Sequence, residues 1–367
     1  MRTAVSFRGS YRAEDVEFLL KPIPRPVVIS GLEKERFIQS GQRHYSEMLT
    51  PESLPSPRYR ALFFEAHQMN RERMARDCLR IADVIRRDVG GSPTLVSLAR
   101  AGTPVGVIVF HLLKRLGAEP ANHYSISVVR DIGVDFNAMD EILARGADPA
   151  KVVFIDGWTG KGVIGRELNR AISQYNASRG TKINSGLYVL ADLAGTAYRA
   201  ATRDDYLIPS AILNATISGL VSRSIVNDSI GPGDFHGCVH YPEFAEEDVS
   251  VWFVDEIVRL AMELRGSERS PNGVRQDETC AAPCGEAFVE REMSRYGISD
   301  RNLLKPGIGE ATRVLLRRLP ELLVVRDRAR PSVRHLVALA GEKGVRVEQR
   351  PSLEVEAIAI IRSDVHV

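Results

Sequence analysis

The chain has 367 residues, of which 44% are hydrophobic and 26% charged, with a formal net charge of +2. That balance excludes a largely disordered or low-complexity chain and gives length enough for two packed cores. No run approaches the roughly 20 apolar residues that a bilayer-crossing helix needs, and residues 1–20 lack the basic-then-apolar order of a secretory leader, so the expectation is a cytoplasmic protein with no membrane partner.

Residues 1–58 carry Pro22, Pro24, Pro26, Pro51, Pro55 and Pro57 around short helical stretches such as 13–20, which predicts an N-terminal arm or edge. Over 59–87, apolar residues including Leu62, Phe63, Ala66, Met74, Ile81 and Ile85 recur at helical spacing, predicting a long amphipathic helix. A buried-looking strand at 94–98 then runs through the turn 100–106 into a helix at 107–116. The same unit recurs as strand 123–129 with helix 137–143 and as strand 151–155 with helix 163–175, before a fourth strand at 187–190. Strands alternating with helices predict a mainly parallel sheet covered on both faces. Beyond an irregular stretch at 202–224 a helix is expected over 249–264, and 267–300 reads as a linker. Residues 301–367 alternate again: helix 310–318, strand 321–325, helix 332–342, strand 345–348 and a terminal apolar run, enough for one small α/β sandwich.

Charge is divided unevenly. Residues 301–350 hold twelve Lys or Arg against five Asp or Glu, while the rest is mildly acidic, so the basic end is expected to meet an anionic partner such as RNA. Four cysteines are too few for a disulfide framework. Cys280 and Cys284, with His236 and His240 some way upstream, lack the spacing of a zinc site, so no resident metal is expected. Cys238 has His236 two residues before it, but no cysteine-protease signature surrounds any of the thiols.

The chemistry concentrates at strand ends. The strand before Asp156 delivers an acid and then Gly157, Trp158, Thr159, Gly160, Lys161 and Gly162, a glycine-bearing turn that opens a helix. Backbone amides there, with the Thr159 hydroxyl and the Lys161 ammonium, would hold a dianionic phosphate, and Asp156 would reach sugar hydroxyls. Arg130 and Asp131 follow the second strand, either as surface ion pairs or as a roof over the same site. Asp192, Asp234 and His236 complete the candidate substrate residues, the last two in a glycine-rich turn.

Strand, acid, loop, Thr-Gly and helix resemble the phosphoribosyl-pyrophosphate loop of type I phosphoribosyltransferases. The earlier turn, with Arg100, Ala101, Gly102 and Thr103, is similar to that family's pyrophosphate loop. The resemblance implies a catalytic pair, Asp156 on the ribose and Arg100 on pyrophosphate, the 5′-phosphate held by Thr159 to Gly162, and Mg²⁺ bridged by the substrate. Gly157 departs from the pattern, since the family usually has a second acid there. Residues 41–49, 97–106, 156–162, 203–210 and 234–237 together resemble the bacterial StiP family, associated with tellurite resistance and stress, whose members are often named cysteine proteases. At the basic end Gly307, Glu310 and Arg313 resemble the RNA-meeting helix start of the Pelota and L7Ae group, with Gly309 where some relatives have Asn and Arg317 one turn further on.

The expected fold is therefore α/β, with a phosphoribosyltransferase-like domain at 59–266 and a Pelota-like RNA-binding domain at 301–367. The expected function is binding of phosphoribosyl pyrophosphate or a related nucleotide, with transfer or cleavage of a ribosyl-phosphate group, coupled to RNA. The alternatives are a nucleotide-sensing RNA-binding regulator without turnover and a cysteine protease.

Overall fold

The computed structural model describes residues 7–25, 31–49, 52–267 and 284–362. In chain order these form β1 (Glu17–Leu19), β2 (Lys21–Pro22), α1 (Gly31–Gln39), α2 (Pro57–Asp88), β3 (Thr94–Ala99), α3 (Gly102–Arg115), β4 (Asn122–Val129), β5 (Gly133–Val134) and α4 (Phe136–Ala144). There follow β6 (Val152–Thr159), α5 (Val163–Arg179), β7 (Leu187–Asp192), β8 (Arg199–Thr202), β9 (Gly237–Cys238) and α6 (Ser250–Ser267). The C-terminal part has α7 (Glu286–Tyr296), β10 (Leu304–Pro306), α8 (Ile308–Arg317), β11 (Pro320–Val325), α9 (Arg334–Glu342), β12 (Arg346–Gln349) and β13 (Ala357–Ile361).

The main sheet runs in the order β1-β4-β3-β6-β7-β8, every neighbour parallel, with β5 added antiparallel to β4. Its strands are apolar on both faces. Leu95, Val153, Ile155 and Leu190 pack toward the side of α2, α3 and α6, while Val96, Leu98, Phe154 and Val189 pack with Ile142, Leu168 and Ile172 of α4 and α5. Helices therefore cover both faces, as a parallel sheet requires. Local signals place them: Ser56 Oγ accepts from the Tyr59 amide at 3.2 Å with Pro57 at the first helical position, so α2 starts where expected. Asp135 Oδ1 caps α4 by accepting from the amides of Asn137 and Ala138.

Three expectations are corrected. The stretch 13–20 is not helical: it turns and then adds β1 to the edge of β4, with Phe18 and Leu19 buried. Helix α3 starts at Gly102 instead of 107, because Pro104 fits a first helical turn and Gly106 is used for packing. A Cβ on Gly106 would stand 1.9 Å from Ser97 Oγ and 2.6 Å from His123 Nε2. The segment expected as linker contains α7, whose Phe288 and Val289 are buried against Leu304, Leu322 and Ile358 of the C-terminal unit. Residues 268–283 of that segment, Cys280 among them, lie outside the described residues.

In the C-terminal unit the sheet order is β10-β13-β11-β12, with α8 and α9 packed against it. This unit does not stand apart. The apolar cluster beneath α2 and α3 continues into Ile308, Ala311, Val314 and Leu315 of α8. No helix among the described residues is long and apolar enough to cross a membrane.

Candidate functional site

At their C-terminal ends β3 and β6 hold the two ligand-loop candidates side by side, where open α/β sheets bind ligands. Gly102 permits the approach: a Cβ there would lie 2.6 Å from the Ile155 carbonyl oxygen and 3.3 Å from Asp156 Oδ1. Against them lies a cavity of about 170 Å³ lined by Arg100, Ala101, Asp156, Trp158, Arg223 and Arg313, with a wall from the 210–218 segment. Asp156 is the one acid in that lining. It is 9% exposed, and burial pushes its carboxyl up to about 6, against the pull of Arg313 and of the Gly157 amide that donates to Oδ1 at 2.7 Å.

Arg100 is 7% exposed. Its Nη1 donates to the Val221 carbonyl at 2.6 Å and pairs with Glu52 Oε1 at 2.6 Å, while Nη2 is buried without a protein partner. Trp158 Nε1 and Ser210 Oγ, on two other lining residues, are likewise buried and unpartnered. A buried polar atom with no partner costs about 1–3 kcal/mol, and Arg100 Nη2 is such a donor on a residue that lines the cavity. Arg223 donates to the carbonyls of Tyr45 and Met48, and burial pulls its guanidinium down to about 10. The Tyr45 ring lies 5.4 Å from the Arg223 guanidinium and 5.1 Å from that of Arg130.

Several expected site residues are occupied elsewhere. Thr103 is fully buried in α3 and shares a hydrogen bond with Ser125 Oγ at 2.8 Å. Thr159 Oγ1 accepts from the Gly162 amide at 3.0 Å, closing the turn that Gly162, at φ +70°, hands to α5. Gly160 faces the C-terminal unit, where a Cβ would come within 3.1 Å of the Pro306 carbonyl oxygen. Lys161 donates to the Arg301 carbonyl; burial, reinforced by nearby Lys305, pulls its ammonium down to about 7. Asp192 accepts from the amides of Ala194, Gly195 and Ala197 and so organises its own loop. Asp234 binds Lys21 and the Gly231 amide; His236 shares a hydrogen bond with Ser127 Oγ, and its amide donates to Asp135. Arg130 reaches Asn302 of the C-terminal unit at 2.9 Å, and Asp131 is exposed beside it. None of these side chains lines the cavity.

The basic end supplies the surprise in the geometry. Asp205 Oδ1 accepts from the Ile308 amide at 2.9 Å and Oδ2 from the Glu356 amide at 2.8 Å, so α8 is capped by a residue of the other unit. Gly307, its own N-cap, has no side chain and sits at φ +90°, where a Cβ would meet Leu193 at 2.5 Å. Gly309 lies on Trp158: a Cβ would be 2.5 Å from the indole. Arg313 stacks over the same indole at 4.4 Å and donates to Glu310 Oε1 at 3.0 Å. Of the residues expected to meet RNA, Gly309 and Arg313 lie on Trp158 and Glu310 beside Gly160, while Gly307 packs on Leu193. The expected turn is strand as far as Thr159, since β6 runs through Asp156 and Trp158. The Arg317 side chain lies outside the described residues. Sequence reasoning missed Arg223, which sits in an irregular stretch without period, and gave Asp205, Ser210 and Trp158 no role although all three stood in quoted motifs.

All three cysteines among the described residues, Cys78, Cys238 and Cys284, are buried, and burial pushes Cys238 up to about 12 and the other two well above the ordinary range. No group of three or more His, Cys, Asp or Glu among those residues could hold a metal by itself.

Residues 9–258 match the family model described as "Tellurite-like stress resistance cysteine protease StiP", and residues 284–363 match that of the PELOTA RNA binding domain. A curated relative named "Cysteine protease StiP", from Acinetobacter baylyi, is 38% identical over 330 residues, 88% of this chain and 85% of its own. Among solved structures, a hypoxanthine-guanine phosphoribosyltransferase of Bacillus anthracis aligns at 13% identity and a TM-score of 0.25, over 36% of this chain and 77% of its own. A hypoxanthine phosphoribosyltransferase of Trypanosoma cruzi, complexed with IMP, aligns at 15% and 0.28, over 58% and 94%.

Proposed function

The chain belongs to the StiP family, which its description calls a cysteine protease; from the geometry of the strand-end cavity, and not from that description, we propose a site that binds a phosphorylated ribose, as phosphoribosyl pyrophosphate or a related nucleotide, beside a domain that binds RNA. One observation carries the reading: a cavity at the ends of parallel strands is lined by a single carboxylate and three guanidinium groups, with buried donors left unpartnered. Asp156 is suited to accept from ribose hydroxyls. Arg100, whose Nη2 is unpartnered, is suited to the pyrophosphate oxygens.

In the transfer step a nucleophilic nitrogen of the acceptor forms a bond to ribose C1 as the C1–O bond breaks, and pyrophosphate leaves with the electron pair. Positive charge developing on the sugar would be met by Asp156 and the departing anion. Asp156, the one acid in the lining, would help to hold a Mg²⁺ brought by the substrate, whose chemistry there would be to neutralise charge on the leaving group. Stress resistance, which the family description carries, would be the setting of this chemistry.

Gly157, where phosphoribosyltransferases usually carry a second acid, favours a second reading, a nucleotide-sensing regulator that binds without turnover. Calorimetry with phosphoribosyl pyrophosphate and Mg²⁺ tests binding, and pyrophosphate release separates enzyme from sensor. Asp156→Asn and Arg100→Ala should each weaken binding about tenfold or more, since a charge-assisted hydrogen bond is worth about 1.5–3 kcal/mol. A wild-type chain that binds neither phosphoribosyl pyrophosphate nor a nucleoside monophosphate overturns the proposal.

A further inference from the structure

We propose that the RNA-binding domain supplies Arg313 to the cavity as a third anion-binding guanidinium, so that the site for a phosphorylated ribose is complete only while α8 is docked. This rests on the ribose-phosphate reading above and adds where one of its ligand groups comes from.

The docked arrangement is specified by shape. Three glycines stand at the points of closest approach, Gly160 against Pro306, Gly307 against Leu193 and Gly309 against the Trp158 indole, and a Cβ at any of them would be crowded. Two more links are polar: Asp205 caps α8 from across the junction, and Lys161 donates to the Arg301 carbonyl. Continuous apolar packing through Ile308 and Ala311 closes the contact. Arg313 is fixed by that docking, over the Trp158 ring and tied to Glu310, on the cavity that Arg100 and Asp156 also line, and its charge is felt at Asp156. Arg223 gives N–H groups to the Tyr45 and Met48 carbonyls, and Arg100 has Nη1 on Val221 and Glu52 and keeps Nη2 unpartnered, so Arg313 adds donors that these two supply only in part. A planar guanidinium resting on an aromatic face presents its remaining N–H groups in a fork that suits phosphate oxygens.

The same helix start cannot face two ways. While Gly307 packs on Leu193, Gly309 on Trp158 and Glu310 beside Gly160, this helix start faces the other unit, so an RNA that engages it withdraws Arg313 from the cavity. Ligand and RNA then oppose each other by the same factor, as linkage demands.

The chain has two tryptophans, so full-length protein in a Trp252→Phe background carries Trp158 as its sole reporter of docking. The probes are phosphoribosyl pyrophosphate with Mg²⁺ and a bulged RNA hairpin. Arg313→Ala should weaken phosphoribosyl-pyrophosphate binding tenfold or more, and Arg313→Lys should recover part of it. Gly309→Leu, which changes no charge, should red-shift Trp158 emission, weaken the same ligand and tighten RNA binding. RNA added to the unmutated junction should shift the emission likewise and lower ligand affinity. Equal ligand affinity in Arg313→Ala and its parent overturns the inference while leaving the ribose-phosphate reading intact. RNA binding without any change in emission or ligand affinity also overturns it. A parent that does not bind the ligand at all instead removes the reading beneath it.

Discussion

Asp156 shows how one buried carboxylate sets a pH window. Burial raises its folded pKa to about 6, above the usual value of about 3.9 for an unfolded aspartate. The folded state therefore holds the proton more tightly, and this group's contribution to stability, full below the unfolded value, falls as pH rises from about 4 to about 6. Ligand binding should show the opposite trend. Affinity for a ribose-bearing ligand relative to that for free pyrophosphate, measured by calorimetry at fixed Mg²⁺, should rise between about pH 5 and about pH 7 as the carboxylate forms, the titration of the phosphate groups at about pH 6 being common to both ligands. Asp156→Asn should remove that rise, and a rise of the same size in the variant would assign it to another group.

At the scale of elements, the cap on α8 is the feature most open to test. Replacing Asp205 by Ala leaves the Ile308 and Glu356 amides without their acceptors, at about 1–3 kcal/mol for each amide that stays buried. Faster hydrogen exchange at 307–310 and a lower first thermal transition are expected, with Asp205→Asn intermediate; unchanged exchange would show that the cap is dispensable. Such a contact could not be read from the chain. The alternation of apolar runs with helical periods made β3, β4, β6 and β7 legible, and the acid in the second half of β6 marked one wall of the cavity, although the strand runs three residues past it. Gly106 read as loop because a glycine's need for close packing and its use in turns look alike in sequence. Lys161 and Thr159 read as phosphate ligands because the neighbours that engage them are an adjacent turn and a carbonyl 140 residues away. Gly309 read as a departure from an RNA-binding pattern, and its reason is the indole of Trp158.

Across the whole molecule, Lys161 lies at the junction of the two units, and burial lowers its ammonium to about 7, against about 10.4 in an unfolded chain. The folded, docked state binds fewer protons, so this residue favours docking more as pH rises from about 7 toward about 10. Lys161→Met should flatten that dependence, read from the emission of Trp158; an unchanged slope would place its origin in other groups. The other end of the chain has a different consequence. By lying parallel to β4, the short β1 covers strand amides and carbonyls that would otherwise offer a template to a neighbouring molecule. The far rim, β8, is only four residues long and carries Arg199, held by Asp88. Both rims of the sheet are thus short, one a three-residue strand and the other four residues with a paired arginine, which leaves a neighbouring molecule little backbone to pair with.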